Sequence, residues 1–307
     1  MIANKVADSG LLEKRIGGSG PIVSDLEWDV KTYFTLNGAM HDAAVAAWGA
    51  KREYDYSRPI TMIRHQGSLG QSSDPLGPSY HPDGLALEDG LVEVITAESI
   101  APGGRHRNVL LNANKNAAFF PFVSEGDLIG KIAIMSWNHE PDDPTTQLSG
   151  VDWVLAENWV PFQKDNFVTP AFAAYVSGHS TFSRAGAEVL TLLTGDEYFP
   201  GGLGEQTFLA NDFLEFELGP EGTVTLQWAT YYDAADEAGI SRLWGGIHVA
   251  PDDFNGRIMG SAVGIDAFEF AAQKFGLVPV PEPSTVVLAA LGGLALLTVA
   301  WRKRAWR

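Results

Sequence analysis

Three short stretches hold the residues that could do chemistry together. They are Lys51 and Arg58 in KREYDYSRP, Ser177-Gly178-His179 in YVSGHSTF, and Arg242, His248 and Asp252 in SRLWGGIHVAPD. Pooled, they supply three fixed cations, a hydroxyl, a glycine N–H and two imidazoles. That is an inventory for one tetrahedral oxyanion. Arginine forks hold its oxygens in pairs, lysine adds a point charge, one histidine bonds the central atom and the other moves a proton at the opposite apex. Each stretch alone has a plainer reading. Ser177 caps a helix, Gly178 makes a turn, and Lys51 and Arg58 are solvated helix cations. His248 is a satisfied core histidine, and Arg242 pairs with one of the 38 acidic residues. Their joint occurrence in one chain favours the oxyanion.

The background sharpens the contrast. The 307 residues carry a formal net charge of −17, so the surface is wrong for nucleic acid, which needs basic residues against phosphate. There is no cysteine, which excludes a disulfide framework, thiolate catalysis and sulfur-ligated metals. With 45% hydrophobic and 19% charged residues the chain has the composition of a globular protein able to bury a sizeable core.

The elements that must position these residues read as mostly helical. The Ala-rich stretch 26–56 has helical spacing and ends before Pro59, which places Lys51 and Arg58 two turns apart on one face unless the Ser57-Arg58-Pro59 end is already extended. Residues 67–90 and 140–150 are loops dense in Gly, Pro, Ser and Asp, with helical pieces over 90–100 and 126–138. Helix 180–194 presents Phe182, Ala185, Val189 and Leu192 on one face. Residues 213–228 alternate about GPEG and read as a minor β-hairpin. Helices return over 229–240 and 254–275, the latter closed by Gly276.

The end of the chain differs from the rest. Residues 277–285 form a Pro-rich linker, Val286 to Trp301 carry no charge, and RKRAWR closes the chain with four positive charges. The expectation is a catalytic domain over 1–276, the linker, and a transmembrane helix with a basic tail over 286–307. The order Pro-Glu-Pro, short apolar span and Arg-rich end resembles the bacterial PEP-CTERM sorting signal. That resemblance implies export, processing by an exosortase, transient membrane attachment through the C-terminal helix, and release at the cell surface or beyond.

The three motifs resemble those of the vanadium-dependent haloperoxidases and the type 2 phosphatidic acid phosphatase superfamily. Lys51, Arg58 and Pro59 match the first motif, Ser177, Gly178 and His179 the second, and Ser241, Arg242, His248 and Asp252 the third. Val176 stands where the family's second motif has proline. The resemblance implies a helical bundle of that family's type and vanadate as cofactor, with phosphate as its competitor. In it His248 would be the axial ligand and His179 the acid–base group. Lys51, Arg58, Ser177, Gly178 N–H and Arg242 would hold the equatorial oxygens, and Asp252 would orient His248. Trp48 and Phe172 match aromatic positions that line a halide pocket in haloperoxidases. Hydrogen peroxide and halide are then the substrates. An acid phosphatase working through a phosphohistidine on His248 is the alternative from the same superfamily, and a cell-surface structural protein with a vestigial site is the alternative from another class. The family's bundle is preceded by a further helical region, so the expectation is a precursor longer at its N-terminus, with exposed apolar surface on this chain. A homodimer covering that face is the other reading.

Overall fold

The structure, a computed structural model, describes residues 2–114 and 122–277. Nine α-helices and five strands occur among them: α1 (Ile2–Ala7), α2 (Asp25–Tyr54), α3 (Pro59–Leu69), β1 (Val92–Val94), α4 (Ala97–Ile100), α5 (Arg107–Ala113), α6 (Glu125–Leu128), β2 (Ile132–Trp137), β3 (Val151–Leu155), α7 (Gly178–Thr194), β4 (Gly204–Phe208), β5 (Val224–Trp228), α8 (Tyr231–Trp244) and α9 (Ala250–Lys274).

The bundle is built around α7, which packs against α2, α8 and α9. On α2, Thr35, Ala39, Ala43, Ala47 and Lys51 recur every fourth residue and are all buried. That period puts them on one stripe of the helix. The small side chains let α2 lie close to its neighbours, and the stripe carries the Lys51 ammonium inward with it. Ser24 caps α2, its hydroxyl accepting from Glu27 N, and Asp55 ends it in a left-handed conformation at φ 42° with its N–H on Lys51 O. The core at this level joins Trp28, Ala39, Ala43, Val189, Leu193 and Ala267.

Between α3 and α7 the chain makes a second layer. Here β1, β2 and β3 form an antiparallel sheet with Val92 opposite Ile134 and Ala133 opposite Leu155. Its core includes Ile95, Ile100, Leu128, Trp153 and Leu155. Trp137, Val154 and Trp159 pack it onto Ile60 of α3. A separate hairpin pairs β4 with β5, Gly204 opposite Trp228 and Phe208 opposite Val224.

The chain is mostly helical with small sheets, and four expectations need correction. No helix among the described residues is long and apolar enough to cross a membrane. The two longest, α2 and α9, carry charged side chains along their lengths. The transmembrane helix expected over 286–307 is not among the helices described, and those residues, with most of the linker over 277–285, lie outside the described ones. The helix expected over 126–138 is a single short turn, α6, followed by β2. The left-handed Gly130 at φ 89° breaks the helix, and Ile132 and Ile134 then suit a pleated strand. The stretch 90–100 likewise divides into β1 and α4. The hairpin is real but misplaced, because 213–218 docks elsewhere. Glu217 accepts from Trp137 Nε1 at 3.0 Å and from Ser149 N at 3.1 Å, while Phe216 packs edge-on against Trp137 and Phe162.

Exposed apolar side chains include Leu26, Phe34 and Val45 on α2 and Phe254, Ile258 and Phe270 on α9.

Candidate active site

Lys51 is 3% exposed. Its Nζ donates to Ala173 O at 3.0 Å, Ala174 O at 2.8 Å and Val176 O at 2.6 Å. Burial, then the nearby Arg58 charge, lowers its pKa to about 8, with Asp252 opposing. Arg58 reaches the same place by the extended route, not the helical one. α2 has already ended at Tyr54, and Arg58 is the extended residue before Pro59, which opens α3. A turn, not a shared helical face, brings the two cations together. Proline at the first helical position forces this, since it disfavours helical backbone in the residue before it. Arg58 Nε donates to Phe172 O at 3.0 Å and Nη2 to Ala173 O at 3.2 Å. Its Nη1 donates to Ile247 O at 3.0 Å and to His248 Nε2 at 3.1 Å. Burial lowers Arg58 to about 10, with Asp252 raising it and Arg242 lowering it further.

The Ser-Gly-His turn is the start of α7. Ser177 is fully buried and caps the helix, its Oγ accepting from Ser180 N at 3.3 Å. The plain reading of this residue as a cap is therefore right, but its hydroxyl hydrogen remains available to an acceptor. Ser177 N donates to Asp252 O at 2.9 Å, which ties the turn to the first turn of α9. As the first helical residues, Gly178 and His179 have N–H groups that no preceding helical carbonyl reaches, so the helix offers them, and its positive end, to an anion.

The third motif straddles the end of α8 and the start of α9. Gly246, left-handed at φ 71°, lets the chain reverse, and Ile247 N bonds back to Arg242 O at 3.1 Å. His248 Nδ1 lies 2.8 Å from Asp252 Oδ2. Arg58 can only donate, so Nε2 must be the accepting nitrogen and Nδ1 carries the hydrogen given to Asp252. Burial lowers the His248 pKa, with Asp252 working against it. Arg242 Nε is buried and has no hydrogen-bond partner among the described residues.

His179 stands apart from the buried members. It is exposed at the mouth, yet its pKa falls to about 4, from desolvation by the surrounding protein and then from Arg242, His248 and Lys51. The Arg242 and Lys51 charges push the same way however much of the ring water reaches. At neutral pH the imidazole is therefore uncharged and able to take a proton. Trp48 and Phe172 form one wall of the mouth. Each is 43% exposed, and their ring centroids lie 5.0 Å apart. Lys51 Nζ is 5.4 Å from the Phe172 ring and Arg58 Cζ 5.3 Å from it. An added Cβ at Gly178 would stand 3.4 Å from the Trp48 ring, so the glycine and this wall adjoin.

All the singled-out residues thus converge, Ser241 excepted, whose hydroxyl turns back to Ala238 O in its own helix. The reading by motif missed the support behind them. Ser180 Oγ donates to Asp253 Oδ1 at 2.6 Å, and Arg257 holds Asp253 at 2.6 Å and Asp236 at 2.8 Å. Arg184 adds a second contact to Asp236 at 2.8 Å. This network clamps α7, α8 and α9 directly under the turn. Only the four-residue spacing of Asp253 and Arg257 hinted at it.

A cluster of three cations, a guanidinium N–H without a partner among the described residues, a hydroxyl hydrogen and a helix N-terminus fits an oxyanion and not a bare metal ion. Among the described residues no group of three or more His, Cys, Asp or Glu could hold a metal. The buried charges are offset only in part by carbonyls, so a bound anion would complete them.

Comparison with known proteins bears on the fold. The family model of the VCPO second helical-bundle domain matches residues 31–72 and 127–276, and the PEP-CTERM protein-sorting motif matches residues 279–304. No curated protein matches the chain significantly. Among solved structures, an apo-type bacterial vanadium-dependent chloroperoxidase is 15% identical with a TM-score of 0.54, over 83% of this chain and 39% of that one. The holo-type structure is 15% identical with a TM-score of 0.50, over 80% and 36%. The chain therefore spans well under half the length of either. The likeness is one of fold, and the sorting motif marks the protein for export and surface sorting. With more than half of its residues matched, and with the three motifs gathered at one end of α7, this chain belongs to the family of the VCPO second helical-bundle domain.

Proposed function

We propose that the cluster at the start of α7 binds vanadate, in competition with phosphate, and that the protein is a vanadate-dependent haloperoxidase oxidising halide with hydrogen peroxide to a hypohalous-acid-like species. The observation that carries this reading is the His248 tautomer. Asp252 fixes the hydrogen on Nδ1, leaving a lone pair on Nε2 in the middle of a cationic cluster, as a ligand nitrogen requires. In use, Arg58 Nη1 must give up that lone pair to the ligand. Arg58, Arg242, the Ser177 hydroxyl and the Gly178 N–H would hold the oxygens, with Lys51 adding charge from below. Bound vanadate would supply the Lewis-acid activation of peroxide. The chain's own groups bind and orient: His179, neutral and at the mouth, takes a proton from the incoming peroxide, and Trp48 with Phe172 keeps water from one side of the halide's approach. The sorting motif supports processing by an exosortase and action outside the cytoplasm.

The test is bromide or iodide oxidation by the purified protein with peroxide, with and without vanadate. Activity that needs vanadate and is suppressed by phosphate is expected. Phosphate-ester hydrolysis without vanadate, and no halide oxidation after adding it, would establish the acid phosphatase. Inactivity in both, with no anion bound, would leave the vestigial site.

The low pKa of His179 makes a second expectation. A bound anion opposes the cations that depress it, so binding should draw a proton onto the ring. Sulfate keeps its charge across this range and isolates the effect. Its affinity should rise as pH falls from 7 toward 5, by at most about tenfold per pH unit for one coupled proton. Calorimetry in buffers of different ionisation heat reads the uptake, and His179→Gln should flatten the profile. An unchanged slope in that variant would move the coupled proton to another group.

A further inference from the structure

A lysine ammonium has three hydrogens to give, and all three of Lys51's are given to the backbone, at Ala173, Ala174 and Val176. Arg58 adds bonds to the carbonyls of Phe172, Ala173 and Ile247. Five carbonyl oxygens are therefore gathered onto two cations, four of them on the approach to α7 and the fifth, that of Ile247, on the approach to α9. A carbonyl oxygen facing an oxyanion repels it, and an N–H attracts it. Turning the carbonyls of 173, 174 and 176 inward leaves the next peptide groups, those of Gly178 and His179, to present N–H alone. The same segment is held from outside by Ala174 N on Tyr56 O and Ser177 N on Asp252 O, each at 2.9 Å.

We propose that Lys51 is a positioning residue, which holds the segment 173–176 by its carbonyls so that the start of α7 faces the oxyanion with donors only. This differs from a role as a direct ligand to an anion oxygen, and it rests on the oxyanion reading of the site. The lowered pKa of Lys51 agrees, since burial and then the Arg58 charge outweigh the opposing Asp252 carboxylate. Its charge still favours an anion at a distance, but its hydrogens are committed.

The test compares the full chain with Lys51→Met and Lys51→Arg, using hydrogen exchange without any anion and inorganic phosphate binding by calorimetry. In Lys51→Met the amides of Ala174 and Ser177 should exchange at least about tenfold faster in the anion-free protein, the scale of losing one good hydrogen bond. Phosphate should bind about tenfold or more weakly, and Lys51→Arg should recover both in part. Should Lys51→Met not fold, Lys51→Gln, which keeps two donors at shorter reach, takes its place in the same comparison. Unchanged anion-free exchange with weakened phosphate binding would overturn the proposal in favour of direct contact. Faster exchange with unchanged phosphate affinity would overturn it in favour of a purely structural lysine. Failure of the unaltered protein to bind phosphate or vanadate at all would instead sink the oxyanion reading, and the exchange comparison would still report separately whether Lys51 holds the segment.

Discussion

Replacing His248 with alanine should abolish vanadate retention, and with it any peroxide-dependent halide oxidation, while the fold survives at reduced stability. His248 is the only imidazole whose two nitrogens are both engaged inside the cluster, Nδ1 by Asp252 at 2.8 Å and Nε2 by Arg58 at 3.1 Å. Removing it deletes the ligand lone pair and strands two charges. Asp252 is fully buried and its Oδ1 already lacks a partner among the described residues, so the loss of the Nδ1 bond leaves it only the long contact from Val249 N, 3.4 Å from Oδ2. That should cost about 1–3 kcal/mol of stability, the usual penalty for an unsatisfied buried polar group. The companion variant Asp252→Asn separates ligand from orientation. An amide can donate to Nδ1, which moves the ring hydrogen to Nε2 and aims an N–H at Arg58. Vanadate should then bind about 10–100-fold more weakly, the scale for losing the group that orients a ligand. Equilibrium dialysis with vanadium measured in the retained protein reads both. Full retention by His248→Ala would remove His248 from the site, and an Asp252→Asn variant indistinguishable from the parent would mean that the tautomer is set by something other than Asp252.

How much of this could be read before the structure depends on the distance over which each feature is encoded. Ser177, Gly178 and His179 are consecutive, and Arg242, His248 and Asp252 fall within eleven residues, so their grouping is written locally and was readable. The long helices were too: α2 was expected over 26–56 and runs Asp25–Tyr54, because its alanines repeat at helical spacing. The commitments of Lys51 were not readable, since the carbonyls it holds lie more than 120 residues away and a backbone acceptor leaves no mark in the sequence. The strand β2 was missed because a short apolar run suits a buried helix as well as a strand. The hairpin was misplaced because 213–218 alternates as a strand does, yet its Glu217 finds Trp137 in the other layer. Gly256, Gly260 and Gly264, at intervals of four on α9, are a different case. Their signal was present and passed over, because glycine lowers helix propensity and only the partner helix explains why it stands there.

Gly260→Ala should be among the most destabilising single-methyl changes in the chain. An ideal Cβ at Gly260 would sit 2.3 Å from Thr181 O, 3.0 Å from Arg184 Cβ and 3.1 Å from the Thr181 carbonyl carbon. Two of these are backbone atoms of α7, the central helix, so no side-chain rotation relieves the clash. The helices must part to make room. Alanine gains up to about 1 kcal/mol of helix propensity over glycine, but overpacking a tight interface costs about 1–3 kcal/mol and sometimes more. Here the steric cost wins, because the clash lies at the middle of the α7–α9 seam. Gly264 is hemmed at 2.7 Å by Ala185 O on one side and Gly256 at 2.8 Å by Ser177 O on the other. Parting the helices at 260 loosens both. A net loss of about 2 kcal/mol, or a fall in Tm of roughly 4–8 °C, is expected by calorimetry. The change should reach the site as well, because Ser177 N depends on Asp252 O across the same seam, so phosphate affinity should weaken in the folded variant. Gly276→Ala serves as the comparison: it lies beyond the seam, with nothing within 4 Å of an added Cβ, so only the strain of its left-handed φ of 69° applies. Its stability should fall by about 1–2 kcal/mol, the cost of a left-handed alanine, with phosphate binding untouched. If Gly260→Ala proves as stable as the parent, α7 and α9 are not in the close contact that aims Ser177 at the site.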